Sequence, residues 1–279
     1  MNILILNKYR FHYEIIETII LKYKLIIGKL VRECNIYLKI NISNKSFFKY
    51  IIKKYPHIKI LFKKNHIIYD FIIDCSFDGN INKIINDNKH YYISHRVNKN
   101  LLKYKNIYYL TPLNNNNYLY ADILPFMDKK VTSDIPIFCI QGCLDNKKRD
   151  YNLLKRILEI NYKYKYIIKL IGYGDFPKEL LNFRDKIKFK NNLNFIDYHK
   201  EFTNVYSIIP LISYKRNECY YKNRLTSSIS YGIGYNLKFL IDNNLQEIYN
   251  LKNVYVYNDI HDINDKFNNI LKDFYNNQK

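Results

Sequence analysis

Short apolar runs alternate along the chain with longer stretches in which apolar residues recur at helical spacing. In the first half, strands are predicted at Ile3–Leu6, Ile36–Ile40, Ile58–Phe62, Phe71–Ile73, Tyr91–Ser94 and Ile107–Leu110, and helices at Tyr13–Leu25, Ser46–Lys54 and Asn80–Asn86. Strand candidates that are apolar throughout are typical of parallel strands buried on both faces. The pattern therefore predicts a parallel sheet covered by helices.

This alternation breaks after residue 110 and restarts at Ile137. The polar run Asn114–Asn117 and the charged segment Asp128–Pro136 interrupt it, as linkers between domains do. Further strands are predicted at Ile137–Ile140, Tyr166–Ile171, Lys186–Phe189, Ser207–Leu211, Leu237–Ile241 and Val254–Tyr257, with helices at Tyr151–Ile160, Leu225–Tyr231 and Asp262–Tyr275. We expect two α/β domains, residues 1–130 and 131–279, with a cleft between them.

The composition adds a large positive charge. The chain carries 45 Lys and Arg against 25 Asp and Glu, a formal net charge of +20 over 279 residues. A basic surface attracts phosphates, nucleic acid and acidic membranes. Ile, Lys, Asn and Tyr dominate, however, and all four have codons built from A and T, so an AT-rich genome would give the same bias. The charge by itself leaves both explanations open.

Cysteine usage and the lack of long apolar segments indicate the compartment. The five cysteines are odd in number and form no CxxC pair, which argues against a disulfide framework or a structural zinc site. The apolar stretch at the N-terminus is too short for a signal-peptide core, and no window of about 18 apolar residues predicts a transmembrane helix. We therefore expect a cytoplasmic protein.

A glycine turn with basic residues follows the first strand of the second domain. In GCLDNKKRDYNLL (142–154), Gly142 is followed by Lys148 and Arg149 at a predicted helix start. Exposed amides at a helix N-terminus attract phosphate, and either basic side chain can pair with it. An ordinary turn with solvated charges explains the segment equally well.

A second glycine turn follows the next strand. In IGYGDFPKELL (171–181), Gly174 comes directly after Tyr173, and glycine lets the backbone lie against a ligand. Pro177 occupies the place of the third glycine, so the segment is not the dinucleotide fingerprint. The Walker pattern is also absent from the sequence, which disfavours a P-loop ATPase.

The segment YYKNRLTSSISYGIGYNLKFLID (220–242) carries the densest polar chemistry. Arg224 precedes three hydroxyl residues, Thr226, Ser227 and Ser228, at a predicted helix start. Hydroxyls and unpaired backbone amides there can bind a diphosphate, with the guanidinium supplying charge. The alternative is a helix whose hydroxyls cap its own first turn.

Two histidines follow strands of the first domain. His12 comes after the first strand and His95 after Tyr91–Ser94. Parallel sheets place ligands at the carboxyl ends of their strands, and a histidine there can take a proton from a hydroxyl group. A structural role is the competing interpretation for each. No Asp-x-Asp pair occurs, so a metal-anchored sugar-nucleotide site of that kind is not expected.

Taken in chain order, these segments resemble glycosyltransferases of the GT-B type, which have two Rossmann-like domains. The resemblance is strongest over Ile137–Tyr257. It rests on the glycine turn, the G-x-G segment, the acidic and aromatic segment NFIDYHKEFTNVYSIIPLI (194–212), and the helix–strand unit Arg224–Asp242. In the first half, FHYEIIE, YYISHR, YYLTPL and YADILPF resemble members from large DNA viruses and protists, for which the location would be the host cytoplasm.

The resemblance implies metal-independent transfer of a sugar from a nucleotide-diphospho-sugar to an acceptor hydroxyl, without a further cofactor. The second domain would bind the donor and the first a glycan or protein acceptor, with peripheral membrane contact as a further option. The expected donor-binding residues are Gly142, Lys148, Arg149, Tyr173, Gly174, Tyr198, Arg224, Thr226, Ser227 and Ser228. His12 is the first candidate for the catalytic base and His95 the second.

One departure from the family pattern concerns stereochemistry. Retaining members commonly carry two glutamates separated by seven residues, whereas here Glu218 is followed by Thr226 eight positions on. The resemblance therefore assigns neither retention nor inversion.

Two other classes of function remain open. A basic nucleic-acid-binding protein would gather its Lys and Tyr side chains on one face, for contact with phosphates and bases. A transferase-like binding module would keep the donor site and lack turnover. Most of the Tyr residues lie inside apolar runs, which favours the transferase interpretation.

The base assignment is tested by replacing both histidines. If a histidine removes the acceptor proton, His12→Ala or His95→Ala should lower single-turnover rate by about 10²–10⁴ and leave donor binding nearly unchanged. A structural histidine would lower the melting temperature and not the rate. Near-wild-type turnover in the double variant would exclude histidine as the base.

Overall fold

The computed structural model describes residues 1–8, 13–28, 34–40, 45–61, 66–113, 118–119 and 133–278. The chain divides into two compact units. The first is Met1–Ile123 with Asn223–Leu225, and the second is Leu124–Lys222 with Thr226–Lys279. The domain boundary that the sequence predicts after residue 130 lies outside the described residues and stays a prediction.

The first unit is a six-stranded sheet in which all neighbouring strands are parallel. Its strands are β1 (Asn2–Asn7), β2 (Asn35–Ile40), β3 (Lys59–Ile60), β4 (Phe71–Phe77), β5 (His90–Ser94) and β6 (Ile107–Tyr109), in the order β3-β2-β1-β4-β5-β6. Helices α1 (Tyr13–Ile27) and α2 (Lys45–Lys54) connect β1 to β2 and β2 to β3. The helix predicted at Asn80–Asn86 is one 3₁₀ turn, Ile81–Lys83, and Lys99–Leu101 is another.

The second unit repeats this topology. Its strands are β7 (Ile137–Cys143), β8 (Ile167–Tyr173), β9 (Ile187–Asn191), β10 (Ser207–Ile208), β11 (Lys238–Asp242) and β12 (Val254–Tyr257), all parallel, in the order β12-β11-β10-β7-β8-β9. Its helices are α3 (Tyr151–Glu159), α4 (Phe195–Lys200), α5 (Tyr214–Asn217), α6 (Cys219–Lys222), α7 (Ser227–Gly234), α8 (Asn243–Tyr249) and α9 (Ile263–Asn276), with a 3₁₀ segment at Lys178–Lys186.

Both strand orders are that of the Rossmann fold, so the prediction of two Rossmann-like α/β domains is confirmed. In this order the chain reverses direction across the sheet between the first and fourth strands, and ligands bind at the carboxyl ends there. That point lies between β1 and β4 in the first unit and between β7 and β10 in the second. Strand β10 is shorter than predicted because Pro210 has no amide hydrogen for the ladder.

Tyrosine supplies much of the interior, and several of its hydroxyls bond to backbone carbonyls. The hydroxyl of Tyr151 donates to Leu144 O at 2.7 Å and that of Tyr221 to Ile212 O at 3.0 Å. Those of Tyr109 and Tyr166 are buried without a hydrogen-bond partner among the described residues. No helix in the described ranges is both long enough and apolar enough to cross a bilayer.

A buried lysine fixes α4 to the sheet. Lys169 on β8 is 4% exposed, and its Nζ lies 2.9 Å from Glu201 Oε2. The same ammonium donates to Glu201 O at 2.9 Å and to Asn204 Oδ1 at 3.0 Å. Because all three ammonium hydrogens have partners just beyond the end of α4, the helix is held in one position over β8.

Strands β7 and β8 approach each other closely at their carboxyl ends. Gly142 and Gly172 are paired in the ladder, and a Cβ at Gly172 would overlap the carbonyl oxygen of Gly142. Gly142 itself has a φ of +101°, which favours glycine. The two glycines therefore set the position of the turns that follow both strands.

We expect Gly172→Ala to lower the free energy of unfolding by about 2–3 kcal/mol, because the strands must separate to admit the methyl group. Gly28→Asn is the control, since nothing lies within 4 Å of its Cβ position and Asn tolerates a positive φ. Urea denaturation of both variants measures the difference. Equal stability of the two would show that the close approach carries no constraint.

Candidate functional site

The carboxyl edge of the second unit is organised around a buried glutamine. Gln141, the fifth residue of β7, is 1% exposed. Its Nε2 donates to Ser227 Oγ at 3.0 Å and to Ser228 Oγ at 3.3 Å, and its Oε1 accepts from the hydroxyl of Tyr198 at 2.7 Å. This single side chain joins β7, α4 and the first turn of α7.

The start of α7 presents polar groups at this edge. Thr226 precedes the helix, and within the described part of the chain its side chain makes no capping hydrogen bond. Ser227 is half-buried, and its Oγ lies 3.5 Å from the position that a Cβ on Gly142 would take. Because Gln141 donates to both serine oxygens, the hydroxyl hydrogens are directed away from it and can donate to another acceptor.

Arg149 lies beneath this edge. It is 4% exposed, and its Nη1 donates to Pro210 O at 3.0 Å while its Nη2 donates to Gln141 O. The guanidinium thus links the ends of β7 and of the β10 segment, where the strand order reverses. In the described residues no carboxylate lies within ion-pair distance of Arg149, so its charge is not neutralised locally.

That positive charge acts on the neighbouring side chains. Tyr173, next to Gly174, is 61% exposed. Partial burial and a hydrogen bond with Cys143 raise the pKa of the Tyr173 phenol to about 12, while Arg149 acts in the opposite direction. Burial raises the pKa of the Cys139 thiol to about 12, opposed by the charges of Lys169 and Arg149. Arg149 therefore contributes positive potential at this edge, which favours anionic ligands.

The expected donor-binding residues divide into three groups by position. Gly142, Arg149, Tyr198, Ser227 and Ser228 meet around Gln141, with Thr226 adjacent. Tyr173 is the last residue of β8 and Gly174 follows it, and half-buried Lys148 lies on the turn before α3. Arg224 groups with the first unit, where it pairs in antiparallel fashion with Arg96. Their role in binding a donor stays a prediction.

Sequence reasoning missed Gln141. The signal was present, because Gln141 is a polar residue inside the apolar strand sequence IFCIQGC. A buried polar side chain needs hydrogen-bond partners, so its place at the end of a central strand would have drawn attention to the site.

Of the two histidine candidates, His12 lies outside the described residues. His95 follows β5 and is half-buried, with its Nε2 3.4 Å from the carbonyl oxygen of Cys75. Since a carbonyl oxygen only accepts, Nε2 carries the hydrogen of this contact in the neutral ring.

The acidic residue that the family resemblance singled out, Glu218, is held by its own neighbours. Glu218 is exposed and engages Lys222 and, at 2.8 Å, the hydroxyl of Tyr214. These contacts hold the pKa of its carboxyl below the usual value, led by the hydrogen bond from Lys222. Across the described ranges, no three His, Cys, Asp or Glu side chains come together as a set of metal ligands.

Comparison with solved structures identifies the architecture. A glycosyltransferase from Rickettsia africae ESF-5 matches with a TM-score of 0.60, at 13% identity, over 98% of this chain and 90% of that one. The glycosyltransferase AviGT4 of avilamycin A biosynthesis gives 0.61 at 8% identity, over 98% and 88%. The chain has the GT-B fold.

The same fold includes enzymes of another activity. A UDP-GlcNAc 2-epimerase from Neisseria meningitidis, bound to UDP-GlcNAc, matches with a TM-score of 0.51 at 9% identity, over 99% of this chain and 93% of that one. No protein-family model and no curated protein sequence matches the chain. At these identities the likeness shows the GT-B fold alone, and the resemblance to viral and protist members stays a prediction.

The position of Arg149 generates a stability prediction. We expect Arg149→Gln to lower the free energy of unfolding by about 2–4 kcal/mol, because the carbonyls of Gln141 and Pro210 lose a charged donor while remaining buried. Lys148→Gln removes the same charge one residue earlier, from a half-buried side chain, and should cost less than about 0.5 kcal/mol. Chemical denaturation of the two variants checks this. Equal destabilisation would contradict the structural role of Arg149.

Proposed function

We propose that the chain is a glycosyltransferase that binds a nucleotide-diphospho-sugar at the carboxyl edge of the second unit. The observation that carries this proposal is the arrangement around Gln141, whose side chain holds Ser227 and Ser228 at the first turn of α7, with Ser227 Oγ beside Gly142. Hydroxyl and amide hydrogens at a helix N-terminus fit phosphate oxygens. The buried charge of Arg149 favours an anion at the same edge.

The reaction places a specific demand on this site. The acceptor oxygen forms a bond to the anomeric carbon while the bond from that carbon to the diphosphate oxygen breaks. The nucleoside diphosphate leaves with the electron pair, so negative charge grows on its terminal phosphate. Donors fixed in advance, such as Ser227, Ser228 and the α7 amides, stabilise that growing charge without reorganisation.

The acceptor is assigned to the first unit, where its hydroxyl loses a proton as the new bond forms. His12 is our first candidate for the base and His95 the second. The donor site as proposed uses hydroxyl, amide and guanidinium groups and needs no metal ion. The proposal does not distinguish retention from inversion.

The fold neighbours support the choice of ligand and define the rival activity. Two of them are glycosyltransferases, and a third is an epimerase bound to UDP-GlcNAc. Both activities act on nucleotide sugars, so donor binding alone does not separate them. Product analysis does, because transfer releases a nucleoside diphosphate whereas epimerisation keeps it attached to the sugar.

A thermal-shift screen across nucleoside diphosphates and nucleotide sugars tests the proposal. A ligand present at about 100 times its Kd should stabilise the protein by about 2.7 kcal/mol. The ligand that gives the largest shift is then incubated with candidate acceptors, and release of nucleoside diphosphate is measured. A screen without any shift would remove the basis for a donor site.

Variants of α7 assign the binding to this edge. We expect Ser227→Ala to weaken binding of the selected nucleotide by about 1.5–3 kcal/mol, as for a lost hydrogen bond to a charged group. Ser230→Ala is the matched control, because Ser230 is on the same helix and its buried hydroxyl has no hydrogen-bond partner in the described part of the chain. Calorimetry should show unchanged affinity for the control.

Gln141→Glu provides a sharper version of the same test. The variant keeps the shape of the side chain, but a carboxylate accepts from the serine hydroxyls and repels phosphate, so nucleotide affinity should fall at least about tenfold. Wild-type affinity in a folded Gln141→Glu variant would locate the donor elsewhere.

A further inference from the structure

A cavity of about 310 Å³ lies at the opposite, amino-terminal edge of the second sheet. Its walls are Ile135 before β7, residues 160–166 between α3 and β8, and Lys186 before β9. Strand β8 is seven residues long. At about 3.3 Å per residue, it separates this cavity from the carboxyl edge by roughly 20 Å. The cavity is therefore distinct from the proposed donor site.

Three lysines line the cavity: Lys163, Lys165 and Lys186. Among the described residues, none of the three has a carboxylate within ion-pair distance. Acidic residues do lie nearby along the chain: Asp185 precedes Lys186, Asp134 precedes Ile135, and Glu159 is engaged by Lys155 at 3.7 Å. Lys186 also donates to Leu158 O at 3.2 Å, near the end of α3. Three lysines thus line one cavity, and in the described part of the chain none of them is in an ion pair.

The walls between the lysines are aromatic and apolar. The sequence NYKYKY (161–166) alternates exposed lysines with half-buried tyrosines. Tyr162 and Tyr166 pack against Phe267 on α9, at centroid distances of 5.2 and 5.0 Å. Tyr164 stacks on Tyr275 at 4.8 Å. Because the tyrosines are anchored to α9, the lysines between them are held at the rim of the cavity.

An exposed isoleucine adds an apolar surface to this rim. Ile160 is 42% exposed although it is large and apolar. Cavities that hold small ligands begin at about 300 Å³, so this one is larger than a single phosphate requires. A fitting ligand carries an anionic group for the lysines and an uncharged portion for Ile135, Ile160 and the tyrosine rings.

We propose that this cavity binds a phosphate ester, with the phosphate against Lys163, Lys165 and Lys186. Phosphate pairs with ammonium groups through short, charge-assisted hydrogen bonds. The ester is either a soluble phosphorylated molecule or the headgroup of an anionic phospholipid, since both present the same chemistry. This binding is independent of the donor site and of sugar transfer.

The test compares two double variants of the full chain. Lys163→Gln with Lys165→Gln removes two charges at the cavity. Lys188→Gln with Lys252→Gln removes two exposed charges of the same unit that do not line it. The probes are glycerol 3-phosphate, followed by calorimetry, and phosphatidylcholine vesicles with or without phosphatidylglycerol, followed by sedimentation.

We expect the cavity variant to bind at least one probe about tenfold more weakly, while the control variant, Lys188→Gln with Lys252→Gln, binds like the wild type. Loss with glycerol 3-phosphate assigns a soluble ester, and loss only with the anionic vesicles assigns a phospholipid headgroup. Wild-type binding in the cavity variant overturns the proposal, as does failure of the wild type to bind either probe. An equal loss in both double variants also overturns it, because overall charge would then explain the attraction.

Discussion

The buried guanidinium of Arg149 is the interaction on which the candidate site depends. It bonds to the carbonyls of Gln141 and Pro210, so it joins the two strand ends between which the sheet order reverses. A carboxylate partner would have cancelled its charge. Carbonyl partners accept from Nη1 and Nη2 and leave the charge in place, while Nε is buried without a hydrogen-bond partner among the described residues. The same group therefore holds the two strand ends together and adds positive charge at this edge.

Around that edge, each further contact fixes one more element. Gln141 orients the serines of α7 and meets Tyr198 of α4, while Lys169 holds the residues just after α4 against β8. The glycine pair at 142 and 172 lets β7 and β8 approach closely, which brings the turns after both strands to the candidate site. The site is thus assembled from long-range polar contacts on a regular apolar sheet, in which local structure contributes only the scaffold.

The scaffold is the part that could be predicted from sequence. Apolar runs predicted the strands and their parallel arrangement, because strands buried on both faces are apolar throughout. The polar contacts leave no such signal. In the run Lys147, Lys148 and Arg149, all three residues look solvated, yet exposure falls along the run until Arg149 is buried. Which basic side chain turns inward is decided by β10, about 60 residues later, and no local pattern records it.

The tyrosine hydroxyls determine at which positions this sequence tolerates the replacement of Tyr by Phe. A change of Tyr to Phe replaces one A by T in the codon and keeps the ring. At Tyr151 and Tyr221 it would remove a bond from the phenol to a distant carbonyl, whereas at Tyr109 and Tyr166 the lost hydroxyl has no partner in the described part of the chain. Tyrosine positions therefore fall into two kinds. In the first, the hydroxyl bonds to a distant carbonyl and holds the ring in place. In the second, the ring only fills space. In an AT-rich gene, where this mutation arises easily, only the second kind is free to vary.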